Sequence, residues 1–141
     1  MMTMQEQVNL YKEDLALFDT KDAKLEYILD YAKEAKALNP AYKIDANIVK
    51  GCSSLAWLHK ECREGKIILQ AQGESIIAKG MLVILLRIFS HRTPEEILDF
   101  DPQLLLQMGV MELLSPVRQQ GMEAFLKVIY TYAQQCKEQK S

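Results

Sequence analysis

Histidine and cysteine are both scarce in this sequence, and their scarcity excludes much chemistry. There are two histidines, His59 and His91, and three cysteines, Cys52, Cys62 and Cys136. The cysteines form no CxxC pair and no Cys/His cluster at ligand spacing, so the sequence predicts no metal site. A cysteine hydrolase needs a base beside its nucleophile and a third group to orient that base. His59 falls on a predicted strand, pointing away from Cys52 along the ladder, and His91 follows a predicted buried helix, so both read as ordinary surface histidines. No excess of positive charge is present either: 17 Lys and Arg stand against 19 Asp and Glu, for a net charge of −2. Without a basic field to hold phosphates, nucleic acid is not expected as a partner. Long hydrophobic runs are missing as well. The most apolar stretch, Ile76 to Phe89, is interrupted by Lys79 and Arg87 and is too short to span a bilayer. Met1 to Leu10 contains Gln5, Glu6 and Asn9 and has no apolar core, so no secretory signal is expected there. An odd number of irregularly spaced cysteines without such a signal predicts free thiols in a reducing compartment, the cytoplasm.

What remains is the composition of an ordinary folded protein. Apolar residues make up 49% and charged residues 26% of 141 residues, enough for one domain over 1–141 that folds without staples. Val8, Tyr11, Leu15 and Phe18 recur at helical spacing between Gln5 and Phe18. Leu25, Ile28, Leu29, Ala32 and Ala35 do so between Asp22 and Leu38, where Asn39-Pro40 stops the helix. The two helices read as a hairpin. Mid-chain, Asn47-Ile48-Val49, Leu55 to Lys60 and Lys66 to Ala71 read as strands, with Glu64-Gly65 as a hairpin turn. Ser75 caps a helix that runs to about Ser90 and is apolar on nearly every side, so it is expected to be the most buried element. Thr93-Pro94-Glu95-Glu96, Asp101-Pro102 and Ser115-Pro116 open three further helices, the second ending near Gly109. Met122, Phe125, Leu126, Ile129 and Ala133 form the inward stripe of the last, and Cys136 continues it. The fold class is α+β, with helices packed around a small three-stranded antiparallel sheet.

One residue stands in a chemically suggestive setting. Cys52 lies in a predicted turn, preceded by Gly51 and followed by Ser53 and Ser54. A thiol attacks as its thiolate, and an unperturbed cysteine near pKa ~8.5 is only slightly ionised at neutral pH. Turn N–H groups, the hydroxyls of Ser53 and Ser54 and the charge of Lys50 can each favour the anion. Gly51 allows another protein's backbone to come close. An exposed-loop thiol with neither base nor metal suits a carrier that takes a group by exchange and hands it on. Cys62, ending a strand, and Cys136, on the helix stripe, read as structural.

Val49-Lys50-Gly51-Cys52-Ser53-Ser54, with Trp57 shortly after, resembles the V-x-G-C-x-S…W signature of SufE-like cysteine desulfuration proteins. Lys79-Gly80-Met81 is similar to the family's basic-Gly-Leu segment. Leu114-Ser115-Pro116-Val117-Arg118 with Gly121 is similar to its (L/T)-(S/T)-P-S-R-x-x-G segment, and Thr93-Pro94 through Asp101 follows in order. The resemblance covers roughly residues 20 to 135. It implies a fold shared with IscU-type scaffolds. It also implies an acceptor and activator subunit, not an independent enzyme, that docks on a SufS-type or CsdA-like cysteine desulfurase. Cys52 would take sulfur as a persulfide and pass it to a SufBCD-type scaffold for iron–sulfur cluster assembly. The pyridoxal phosphate belongs to the desulfurase, and no cofactor is implied here. Val117 stands where the family usually has Ser, and Gln72-Gly73-Glu74-Ser75 replaces the more usual Asp-Ser-Asp-Ala, Glu74 keeping an acid.

The supporting residues each carry two readings. Gly80 either lets the Cys52 loop lie against a helix backbone or serves close packing alone. Arg118 opens a helix, where a cation is disfavoured by the dipole; it either pairs with a carboxylate or meets a persulfide or the desulfurase. Trp57 is core, or lines an apolar pocket that shelters Cys52 until the desulfurase binds. Lys50 and Lys79 read as solvated charges, and Gly51, Ser53, Glu74 and Lys79 as partner-binding or supporting positions. The rival functions are an iron–sulfur or zinc scaffold of the IscU type and a non-catalytic adaptor, for which Cys52 would be dispensable.

Overall fold

The computed structural model describes residues 1–140, Lys140 by its backbone only. Its helices are α1 (Met4–Ala16), α2 (Lys21–Tyr31), α3 (Ile76–Phe89), α4 (Pro94–Asp99) and α5 (Pro116–Lys140), and its strands are β1 (Ala56–Arg63) and β2 (Lys66–Gly73). Short 3-10 turns fill the connections, including Pro102–Met108 between α4 and α5. The fold is α+β, with α3 at its centre. Ser75 accepts from the Ala78 N–H at the start of α3, and Gly80, Met81, Leu82, Ile84, Leu85, Ile88 and Phe89 are buried along it. Each fully buried Ile, Leu or Phe contributes roughly 1.5–3 kcal/mol, so this helix anchors the core. Thr93 and Glu96 cap α4 reciprocally, with Pro94 at its first position. No helix among the described residues is long and apolar enough to cross a membrane.

The sheet has two strands where three were expected. β1 and β2 pair antiparallel, Trp57 facing Gln72 and Arg63 facing Lys66. The two-residue turn between them carries positive φ at both Glu64 (51°) and Gly65 (81°), a conformation that matches strand twist. Asn47 instead closes a 3-10 turn, and Ile48 makes a single bridge with Trp57 before the chain swings into the cysteine turn. The segment is too short between two turns to add a second rung.

Two further expectations need correcting. The second helix stops at Tyr31, followed by a 3-10 turn over Ala32–Glu34, and does not run on to Leu38. Residues 35–38 favour helix by composition. Burial of Leu38 prevails, its N–H donating to Gln72 Oε1 at 2.8 Å. Cys62 and Cys136, read as separate free thiols, are joined in a disulfide with a Cα–Cα separation of 6.1 Å. The hairpin brings the end of β1 beside the last helix, a proximity that spacing along the chain does not reveal. With two of the three cysteines bridged, cysteine usage no longer points to a reducing compartment.

Candidate functional site

The chain between the Ile48 bridge and β1 is too short for anything but a tight turn, and Cys52 sits in it. Val49 N–H donates to Ala56 C=O at 2.9 Å, and Leu55 C=O accepts from Glu74 N–H at 3.2 Å, pinning both ends of the turn to the sheet. Gly51 has φ +98°, and a Cβ there would lie 3.3 Å from Ala124 Cβ of α5. Glycine is thus required twice over, by the dihedral and by the nearness of α5. What stands beside Gly51 is the Ala124 methyl of α5.

The turn lays the Cys52 side chain against α5. Its thiol points at Gly121 C=O, Sγ to O 3.7 Å, and a Cβ on Gly121 would stand 3.4 Å from Sγ. Arg118, one turn earlier on α5, donates through Nη1 to Ser54 Oγ at 3.1 Å. Its own backbone N–H is capped by Ser115 Oγ. No carboxylate neutralises this guanidinium among the described residues, so the ion-pair reading of Arg118 is replaced by a hydroxyl contact.

Beside the thiol is a cavity of about 50 Å³. Met81, Leu82 and Leu85 of α3, Leu114, and Met122 and Phe125 of α5 form its apolar wall, with Arg118 at its edge. On the same measure a void needs only about 10–15 Å³ to admit one water, so the space has room for a further atom the size of sulfur. Val117 lines the same cavity and is half exposed, so the wall reaches the surface as an apolar rim. Burial pushes the Cys52 thiol above the ordinary cysteine value, and the positive charge of Arg118 pulls the other way without overcoming it. The turn was expected to favour the anion; at rest the thiol is instead held neutral by desolvation.

Of the residues singled out from the sequence, Gly51, Cys52, Ser53 and Arg118 come together at this site. Glu74, Lys79 and Gly80 do not line the cavity. Glu74 is tied to Leu55 by its backbone and its side chain is exposed. Lys79 faces a separate groove. Gly80 lets α2 cross α3, since a Cβ there would fall 2.2 Å from Ile28 C=O, so neither the cysteine turn nor the sheet is what it accommodates. Trp57 is core, with the Lys43 ammonium 4.6 Å above its ring, and is absent from the cavity wall. His59 stacks on Tyr42 and bonds Glu61, and His91 bonds Ser90 Oγ through Nδ1. Among the described residues no group of three His, Cys, Asp or Glu can hold a metal ion. Sequence reasoning did not assign Gly121 to the site, although a glycine inside a helix, costing about 1 kcal/mol relative to Ala, signals close approach.

Known proteins resemble this chain in sequence and in fold. An uncharacterised SufE-like protein of Synechocystis is 28% identical over 110 residues, 78% of this chain and 69% of its own length. SufE-like protein 1 of Arabidopsis thaliana, chloroplastic/mitochondrial, is 31% identical over 108 residues, 76% of this chain but only 29% of that larger protein. The solution structure of a hypothetical protein from Thermus thermophilus superposes with a TM-score of 0.76 at 19% identity, over 94% of this chain and 96% of that one, and supports the fold. The family model SufE, Fe-S metabolism associated domain, matches residues 9–133, and the protein belongs to that family.

Proposed function

We propose that the protein is a persulfide carrier, which accepts sulfur on Cys52 from a pyridoxal-phosphate-dependent cysteine desulfurase, stimulates that enzyme and delivers the sulfur to iron–sulfur cluster assembly. The observation that carries the reading is the free thiol of Cys52 beside a cavity with room for one more sulfur atom and no base next to it. The step is an exchange. The Cys52 thiolate attacks the outer sulfur of the desulfurase persulfide, the new S–S bond forms as the old one breaks, and the desulfurase cysteine leaves as its thiolate. The proton lost by Cys52 ends on that departing thiolate or on water. Geometry comes from docking, so the carrier alone has no turnover.

In this reading the apolar wall keeps the loaded sulfur from stray thiols, while Arg118, a cation without a carboxylate, offsets the charge on the persulfide as it leaves. The donor is a SufS-type or CsdA-like enzyme and the receiver a SufBCD-type scaffold. Intact mass spectrometry after incubation with a cognate desulfurase and cysteine tests it: the protein gains at least one sulfur atom. Cys52→Ser abolishes the gain while Cys136→Ser retains it. A gain that survives Cys52→Ser refutes the reading.

A further inference from the structure

A second concavity lies on the far side of α3 from Cys52. It is a groove of about 860 Å³, within the range of ligand-sized clefts of ~300–1,000 Å³. Its floor is the outer edge of β2, Leu69 to Gly73. One wall is α3, through Leu82, Val83 and Leu86, and the other is the extended stretch from Ala35 to Leu38.

The edge of β2 is incomplete at the bottom of this groove. β1 pairs with one side of β2, so the alternate residues Ile67, Leu69 and Ala71 turn their backbone groups outward. The Ile67 rung is filled, because its N–H reaches Arg92 C=O and its C=O accepts from His91 N–H, both at 2.7 Å. The Leu69 rung is filled by the Ser90 hydroxyl, which accepts from Leu69 N–H at 2.9 Å and donates to Leu69 C=O at 3.4 Å. Ala71 is next, and its N–H and C=O meet no protein partner among the described residues. An unpaired, partly covered strand edge is a template for another strand. Its surroundings are cationic. Lys36, Lys79, Arg87 and Arg92 line the groove against Glu34 alone, which is bonded to Arg87. Arg92 is buried and hydrogen-bonds only the main-chain carbonyls of Met2, Arg87 and Ile88; the Glu96 carboxylate acts on its charge from a distance, without a direct ion pair among the described residues.

We propose that this groove binds an extended acidic segment of a partner protein, which adds to the edge of β2 at Ala71. The two backbone bonds to Ala71 set its register. Successive side chains of an added strand alternate in direction, so apolar residues lie toward α3 on Leu82 and Leu86, with Lys79 at the end of that same helix face, and carboxylates on the other side meet Lys36 of the opposite wall. The site is independent of the thiol: it lies across α3 and shares only Leu82 with the wall of the Cys52 cavity.

The probe is a capped, fluorescent heptapeptide alternating Val and Glu, compared with its Val and Lys counterpart by anisotropy. The acidic peptide is expected to bind about tenfold or more tightly than the basic one, the scale of a single good ionic contact. It is also expected to slow hydrogen exchange at the Ala71 amide by about tenfold. Ala71→Pro removes the outward N–H without touching the β1 ladder and abolishes binding. Should that variant fold poorly, Lys36→Glu with Lys79→Glu decides, since it inverts the preference between the peptides. Cys52→Ser leaves binding unchanged, which separates this site from the sulfur-carrier reading. Equal binding of the two peptides, unaltered exchange at Ala71, or binding that survives Ala71→Pro overturns the proposal. So does pairing of two copies of this chain through the same edge, seen by sedimentation.

Discussion

Replacing Gly121 by alanine sets stability against the capacity of the cysteine site. Gly121 lies in the interior of α5, where Gly→Ala gains about 1 kcal/mol of helix propensity. The added Cβ would lie 3.4 Å from Cys52 Sγ, 3.7 Å from Cys52 Cα and 3.9 Å from Cys52 Cβ, which is contact and not overlap. Burying that methyl adds about 0.8 kcal/mol, so Gly121→Ala stabilises the fold by somewhat under 2 kcal/mol. For a chain of 141 residues this raises the melting temperature by about 5 °C. The same methyl stands against the thiol and encroaches on a cavity of only about 50 Å³. A second sulfur on Cys52 then has to sit nearer the solvent. The variant therefore melts higher yet loses its sulfur sooner when dithiothreitol is added, a trade of function for stability. Thermal melts followed by circular dichroism, with an intact-mass time course of the loaded protein, measure both halves. A variant that melts no higher, or that keeps its extra sulfur as long as the parent, refutes the reasoning.

Other perturbations test the rest of the framework. Gly80→Ala gains the same propensity but puts a Cβ 2.2 Å from Ile28 C=O, forcing α2 off α3. Overpacking of this kind costs about 1–3 kcal/mol or more, so the variant melts lower than the parent, and an unchanged melt means the helices do not cross there. Because burial raises the Cys52 pKa, its alkylation by iodoacetamide is still accelerating above the ordinary thiol value of ~8.5, and Arg118→Gln moves that midpoint higher still. A raised folded-state pKa gives stability that is whole below the unfolded value and is lost as pH climbs through the folded one. The stability difference between the parent and Cys52→Ala therefore shifts against the parent in alkali, and a difference indifferent to pH contradicts burial. The Cys62–Cys136 bridge has a sequence separation of 74, for which the chain-entropy model gives about 4 kcal/mol. Reductant lowers the melting temperature of the parent and leaves Cys136→Ser unaffected; a parent indifferent to reductant refutes the linkage.

Features written in local patterns were legible from the sequence, and features made by long-range contact were not. The caps at Ser75 and Thr93, the Glu64-Gly65 turn and the apolar α3 follow from residues within a few positions of one another, and each stands where the pattern placed it. The end of α2 was misread because Leu38 is claimed by Gln72, distant in sequence, against the helical preference of its own neighbours. The Cys62–Cys136 pair was missed for the same reason. At the candidate site, the turn that carries the free thiol of Cys52 was legible from the sequence, but its surroundings were not. Leu114, Met122 and Phe125 looked like ordinary core, and only the docking of α5 on the turn makes them the wall of a cavity beside Cys52. Gly80 was weighed as a site residue because a costly glycine signals close approach; the signal was right and the neighbour was α2.

A carrier must hold its cargo and also surrender it, and the contacts at Cys52 bear on how one turn can do both. Two contacts keep the turn folded inward, the thiol on Gly121 C=O and Arg118 on Ser54, together with burial of the side chain. A hydrogen bond is worth about 0.5–1.5 kcal/mol net, so the inward state is favoured by only a few kcal/mol. In the proposed function, a partner that binds an outward turn better has only that gap to overcome. A partner that offers Arg118 a carboxylate in place of the Ser54 hydroxyl exchanges a neutral hydrogen bond for an ionic one, releasing the turn at little cost to the remainder of the fold. Because the ends of the turn are pinned by Val49 to Ala56 and by Glu74 to Leu55, only residues 50 to 54 have to move, and the hairpin and α3 stay where they are. In the proposed function, therefore, the discrimination between storage and delivery rests on Arg118 rather than on the reactivity of the thiol itself.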